Sequence, residues 1–370
     1  MKKAILHLGG IALLALSQIS HAQLLIGQTA GFSGPVAAGV KEATEGAKLY
    51  IDAVNAKGGI YGQKVELASM DDKFEPKLAV ENARVLIEEK NVLALFLTRG
   101  TPHAEGIIPL LDKYNMALVA PSTGAMVLHQ PVQKHIFNVR ATYQREAEKA
   151  IAHLSSIGIV RIAVVYTDDS FGADGVVGAQ KGLVAAKLTP VLLEQFNRAK
   201  PDFALITPKL IKSNAQAVIM LASGANVVEG VKAFRAAGST AQIVTLSNNA
   251  SGGFVQSLGD QGRGVIVTQV FPSERSIAFP LVKEALEMSK AKGQTGVSPA
   301  AIEGFAAAKV LVEGLRRAGP KPTREKVQAA LEGIQKLDIG GLEISYSPTD
   351  HTGLDFADLS IIGTNGKFVR

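Results

Sequence analysis

Two pairs of adjacent carboxylates, Asp71-Asp72 and Asp168-Asp169, are the residues of this chain best able to do acid–base chemistry. The alternative is that they punctuate the ends of strands. Little else in the chain supports catalysis. It has no cysteine, which excludes disulfides, thiolate metal sites and cysteine nucleophiles. The seven histidines are scattered, and no His-x-x-x-His spacing suggests zinc. Residue order leaves a Ser-His-Asp set open, but no Gly-x-Ser-x-Gly elbow occurs. Gly31-Phe32-Ser33-Gly34-Pro35 comes close and lacks the residue between Ser and Gly. No cofactor is implied.

The carboxylates sit at the ends of apolar β-rich runs, which alternate with helical periodicity twice over. The first set of expected strands is 24–28, 65–70, 92–97 and 117–120, and the second is 161–166, 191–196, 217–221 and 243–246. Between them, Ala47, Tyr50, Ile51 and Val54, and again Ala147, Ala150, Ile151 and Leu154, fall at i, i+3, i+4, i+7. Strands that are apolar throughout and separated by helices imply parallel sheets covered on both faces. The chain therefore reads as α/β, with two doubly wound lobes and the second beginning near residue 141. A third region follows, with a strand at 265–270 and helices expected at 276–292, 298–317 and 323–334. Short strands at 342–345, 359–362 and 368–370 close the chain.

Ligands of open parallel sheets bind outside the carboxyl ends of the strands. After the third strand come Arg99, Gly100 and Thr101, then a helix. Free N–H groups at a helix start attract a carboxylate, helped here by the Thr101 hydroxyl, although Thr101 serves equally well as a helix cap. Ser122, Thr123 and Gly124 after the fourth strand suit a carboxylate or a turn. In the second set, Asp169 and Phe171 follow the fifth strand, Ser223 the seventh and Asn248 the eighth. Phe171 can stack on a ligand or simply fill core. Tyr143, near the start of the second lobe, joins Arg99, Gly100, Thr101, Ser122, Thr123, Gly124, Asp169, Phe171 and Asn248 in the candidate set.

The amino terminus reads as a secretory signal. Lys2-Lys3 opens it, Ala4 to Leu16 is apolar, and Ser20-His21-Ala22 places small residues for cleavage after Ala22. The apolar run is too short for a bilayer, which needs about 20 residues. Beyond it the charge is modest, 37 Lys and Arg against 33 Asp and Glu, and there is no tryptophan and no basic stripe with interleaved aromatics. Nucleic acid is not an expected partner.

The stretch Asn55-Ala56-Lys57-Gly58-Gly59-Ile60-Tyr61-Gly62-Gln63-Lys64-Val65-Glu66-Leu67, ending in Asp71-Asp72, resembles the signature of branched-chain amino acid (Leu/Ile/Val) periplasmic binding proteins. Gly31-Phe32-Ser33-Gly34-Pro35, Phe137-Asn138-Val139-Arg140, Asp168-Asp169-Ser170-Phe171-Gly172, Ser247-Asn248 and Val270-Phe271-Pro272 match further pieces in order. The resemblance implies the type I periplasmic binding fold, with a signal peptide over 1–22 and lobes formed by 23–140 plus 272–347 and by 141–271 plus 348–370. It implies a small carboxylate-bearing ligand trapped between the lobes, delivery to an ABC permease in the inner membrane, and a monomeric, periplasmic protein without a lipid anchor. Thr101 falls on the family's carboxylate-binding hydroxyl, Ser122, Thr123 and Gly124 on its second carboxylate loop, and Phe171 on its stacking aromatic. The acid that pairs the ligand's ammonium falls near Asn248, which is neutral; Asp168 or Asp169 could take its place. Otherwise the ligand is an acid without an α-amino group, or an amide. A sensor presenting its ligand to a signalling partner, and an exported α/β hydrolase, are the other readings of the same chain.

Overall fold

The computed structural model describes residues 23–369; the signal segment expected over 1–22 lies outside the described residues. The first five strands are β1 (Leu24–Ala30), β2 (Val65–Asp71), β3 (Leu95–Phe96), β4 (Leu118–Val119) and β5 (Ile136–Phe137). They form one sheet in the order β2-β1-β3-β4-β5, parallel at every pairing. The next five are β6 (Ile162–Thr167), β7 (Leu192–Phe196), β8 (Ala217–Leu221), β9 (Gln242–Thr245) and β10 (Ile266–Gln269). A two-stranded hairpin, β11 (Leu337–Asp338) with β12 (Glu343–Ile344), precedes β13 (Asp358–Ile362) and β14 (Phe368–Val369). The second sheet runs β14-β13-β10-β9-β8-β6-β7, with its last two strands in the chain antiparallel. Its parallel part repeats the order of the first sheet, so each lobe has its switch point beside its first strand.

The helices are α1 (Ala37–Ala56), α2 (Pro76–Glu88), α3 (Thr101–Tyr114), α4 (Tyr143–Ser156), α5 (Ser170–Ala185), α6 (Phe203–Ser213), α7 (Gly224–Ala236), α8 (Gly252–Leu258), α9 (Pro280–Ala291), α10 (Pro299–Arg317) and α11 (Arg324–Glu332). They cover both faces of each sheet, and the period of two in the strands separates the faces. In β8, Val218 and Met220 pack with residues of α6, α7 and α8, whereas Ala217, Ile219 and Leu221 pack with α4 and α5. In the first sheet, Leu24 and Ile26 face the core shared with α1 and α10, and Leu25 packs on the α2 and α3 side. Residues of α9, α10, α11 and the hairpin belong to the first lobe's core, as do Tyr346 and Leu354, while Ile362 and Phe368 pack in the second lobe.

The expected strands over 92–97 and 117–120 are each cut to two paired residues. Leu97 and Ala120, which follow them, have φ of 55° and 51°, so the backbone leaves the extended conformation there. The helix expected from 276 starts at Pro280, because hydrogen-bonded turns occupy 273–279. The strand at β5 lacks a sequence signal of its own, being two residues long.

The glycine-rich turn and the carboxylates after it are scaffold that aims a side chain. The Asn55 amide bonds both the N–H and the carbonyl of Val65 at 2.9 Å, tying the end of α1 to β2. Gly59, at φ 73°, leaves no room for a side chain; a Cβ there would lie 2.1 Å from the Gln63 carbonyl. Asp71 accepts from Ser33 Oγ at 2.6 Å and from Lys73 N at 2.9 Å. Asp72 accepts from Phe74 N at 2.9 Å and Thr29 Oγ1 at 3.1 Å. Lys73 and Phe74 are thereby held in the left-handed region, at φ 53° and 62°. Asp72 is fully buried, and burial pushes its carboxyl up to about 6 against these hydrogen bonds.

The raised value means that the folded protein holds this proton more tightly than the unfolded chain. The stability it contributes is complete below about pH 4 and is lost as pH rises through 6. Asp72→Asn is expected to stabilise the protein at pH 7 by about 2–3 kcal/mol, with the gain vanishing below pH 4. Urea denaturation at both pH values measures it.

Candidate functional site

The carboxyl ends of both sheets face one narrow inter-lobe cavity of about 20 Å3, lined by Val36, Phe74, Arg99, Gly100, Thr101, Tyr143, Phe171, Arg198, Ser223 and Asn248. Larger clefts lie nearer the surface along the same lobe boundary, one lined by Glu42, Glu274, Ser298 and Phe368 and another by Pro35, Gly224, Asn249 and Ser257. They lack the concentration of buried charge found in the small cavity. Among the described residues no cluster of three or more potential metal ligands occurs.

Arg99 comes from the turn between β3 and α3 and is only 6% exposed. It donates to Ser122 Oγ at 2.8 Å and to the backbone carbonyl of Asn248 on the other lobe. A guanidinium has five donors, so these two bonds leave others for a ligand. Gly100 holds this turn at φ 102°, and a Cβ there would lie 2.6 Å from His103 Nδ1. No side chain caps α3, whose N-cap is Gly100. Thr101 is its first residue, and its hydroxyl pairs with Thr123 Oγ1 at 2.8 Å instead of capping.

Opposite stands Arg198, on the segment between β7 and α6. Its guanidinium is paired with Asp169 and lies 5.1 Å from the centre of the Phe74 ring and 5.9 Å from that of Phe171, within cation–π range. Asp168 supports the same segment, accepting from Arg198 N at 3.0 Å and from Asn197 Nδ2 at 2.8 Å. Asp169 caps α5 through Gly172 N at 3.1 Å and also accepts from Thr167 Oγ1 at 3.1 Å. Both carboxylates are thus committed within the protein.

The walls are aromatic. Tyr143 meets Phe171 edge-on at 4.8 Å, and Phe74 stacks on His103 at 4.5 Å. Burial, reinforced by the nearby charge of Arg198 and Arg99, pushes His103 down to about 4, so it is neutral at pH 7. Asn248 Nδ2 donates to Ala222 O at 3.1 Å, and its buried Oδ1 has no partner.

Of the residues singled out from the sequence, Arg99, Gly100, Thr101, Tyr143, Phe171 and Asn248 line the cavity. Ser122, Thr123, Gly124 and Asp169 stand behind it. Ser122 bridges Arg99 and Glu303, at 2.8 Å from each. The Gly124 carbonyl accepts from Tyr143 N at 2.8 Å. Sequence reading missed Val36, Phe74 and Arg198 and left Ser223 aside. Arg198 follows a strand just as Arg99 does, so reading every strand end would have found it.

Behind the cavity a chain of polar contacts reaches the crossing between lobes. Glu303 on α10 lies 3.9 Å from Arg140 Nη1. Arg140 also pairs with Glu146 of α4 and donates to Ser247 Oγ at 2.7 Å. Glu146 accepts from Ser247 N at 2.8 Å and from Thr268. Burial disfavours the Arg140 charge, but Glu146, with Tyr143 and Glu303, outweighs it and raises the pKa further.

Two lobes of matching strand order, meeting across a charged and aromatic-walled cleft, define a bilobed solute-binding protein of the type I periplasmic fold. The chain belongs to the periplasmic binding protein family, whose model matches residues 23–356. A substrate-binding periplasmic protein from Ralstonia solanacearum is 31% identical, with 94% of this chain and 99% of that chain covered and a TM-score of 0.85. A possible leucine/isoleucine/valine-binding protein from Rhodopirellula baltica is 25% identical over 96% and 98% of the two chains, with a TM-score of 0.88. The Leu/Ile/Val-binding protein BraC3 of Rhizobium johnstonii is 27% identical over 356 residues, 94% of each chain. The family is one of binding proteins, not enzymes, in keeping with the structural duties of all four aspartates.

Arg140→Met is expected to destabilise the protein by about 3–5 kcal/mol, because it leaves Glu146 and Glu303 buried without their counter-charge. The double variant Arg140→Met/Glu146→Gln should recover part of that loss. Equilibrium urea unfolding of both variants checks the pair.

Proposed function

We propose that this chain is the periplasmic receptor of an ABC importer, holding a small carboxylate-bearing solute between its lobes and delivering it to a permease in the inner membrane. The observation that carries the reading is the convergence of Arg99 from one lobe and Arg198 from the other on one inter-lobe cavity, beside the uncapped start of α3. A charge-assisted hydrogen bond contributes roughly 1.5–3 kcal/mol. A few such bonds with burial of an apolar tail reach the ~8 kcal/mol of micromolar binding. Relatives named for binding leucine, isoleucine and valine support a ligand of about that size. With Thr123 as donor in their shared hydrogen bond, the Thr101 hydroxyl keeps its proton for a ligand oxygen.

In this reading residues 1–22 direct export, cleavage after Ala22 releases the mature chain, and the absence of cysteine leaves nothing to lipidate. The protein acts as a monomer whose lobes close by hinge motion.

Thermal-shift screening across amino acids and small organic acids should find at least one stabilising solute, and mass spectrometry of the purified protein should find the same compound bound. A panel without any stabiliser counts against the receptor role. Thr101→Ala should weaken that ligand more than tenfold by calorimetry while leaving the circular dichroism unchanged; unaltered affinity removes Thr101 from the site.

A further inference from the structure

The cavity has an excess of positive charge. Its lining carries two guanidinium groups, from Arg99 and Arg198, and no carboxylate. The nearest acid, Asp169, is already shared among Arg198, Gly172 N and Thr167. Asp168 is turned to the backbone of the Arg198 segment, and Glu303 is held by Ser122 and Arg140. An α-amino acid would carry an ammonium into this space. There it would meet like charge, and a buried cation without a counter-ion is strongly disfavoured. His103, kept neutral chiefly by burial, is pushed further the same way by these two arginines.

Asn248 lines the same cavity, with the hydroxyl residues Thr101, Tyr143 and Ser223. With Nδ2 committed to Ala222 O, its unpartnered Oδ1 is a neutral acceptor. It suits a single hydroxyl or amide N–H donor and cannot neutralise an ammonium. The rings of Phe74, Tyr143 and Phe171 line the same narrow space and give it apolar walls.

We propose that the cleft selects small organic acids without an ammonium group, 2-hydroxy acids foremost, over the amino acids of the same side chain. The carboxylate lies between Arg99, Arg198 and the start of α3, the 2-hydroxyl donates to Asn248 Oδ1, and the tail packs among the rings. This rests on the receptor reading and narrows its ligand class.

Matched pairs test it by calorimetry on the mature protein, stripped of bound solute by unfolding and refolding. Leucine is compared with 2-hydroxy-4-methylpentanoate, and phenylalanine with 3-phenyllactate. In at least one pair the hydroxy acid should bind tenfold or more tightly than its amino acid. Binding in which neither hydroxy acid exceeds its amino acid tenfold overturns the inference and leaves the receptor role intact. Failure of all four to bind overturns it too, and the receptor role is then decided separately by the wider thermal-shift panel. Asn248→Asp supplies the missing negative charge and should move the preference toward the amino acid by at least tenfold. An unmoved preference in a folded Asn248→Asp variant contradicts the role given to Asn248.

Discussion

Arg140 sits on the crossing between the lobes, fully buried, with carboxylates reaching it from both sides. Glu146 belongs to the first helix after the crossing and Glu303 to a helix that the chain adds more than 150 residues later. Neither carboxylate nor guanidinium is stable in the interior alone, so each element must dock for the others to be tolerated. The same contacts continue through Glu303 and Ser122 to Arg99, and through Glu146 to the peptide N–H of Ser247, next to Asn248. The cleft arginine and the carbonyl it touches across the gap are therefore supported from a common point.

The repeated strand order explains where the cleft had to form. Each sheet has its switch point between its first and third strands, and the chain leaves those strand ends through turns carrying Arg99 in one lobe and Asp169 with Phe171 in the other. Facing the carboxyl ends of the two sheets toward each other brings these turns together. The lobes also meet away from the cavity. Glu42 on α1 accepts from the N–H groups of Gly252 and Gly253 at 3.0 and 2.9 Å, and Ser170 donates to Glu105 at 2.5 Å. Ala300 N bonds the Ala250 carbonyl at 3.0 Å. The arrangement is that of closed lobes.

Much of this was legible in the sequence. Apolar runs such as Ala217–Leu221 coincide with strands because a strand buried on both faces has no polar position to obscure it. The Asn55–Asp72 stretch carried the family resemblance because its turn admits few residue types. What stayed hidden depends on partners distant in sequence. Ser122 looked like a ligand hydroxyl, and only the approach of Glu303 on α10 shows it bonded inside the protein. Asp169 looked free until Arg198 arrived from the next strand end. Phe74 lies two residues past a carboxylate pair that reads as punctuation, and its left-handed backbone is set by hydrogen bonds that composition does not reveal.

Arg198 differs from the other charged groups in its footing. It stands on the six residues between the edge strand β7 and α6, secured by Asp168, Asn197 and Asn226 and not by the sheet interior. Arg140 and Arg99 cannot be exchanged without disturbing both lobes, whereas a connector on a sheet margin tolerates changes in length and composition. Diversification of uptake among descendants of this scaffold would accordingly begin at residues 197–202, where a new cargo can be accommodated while the architecture is inherited unchanged.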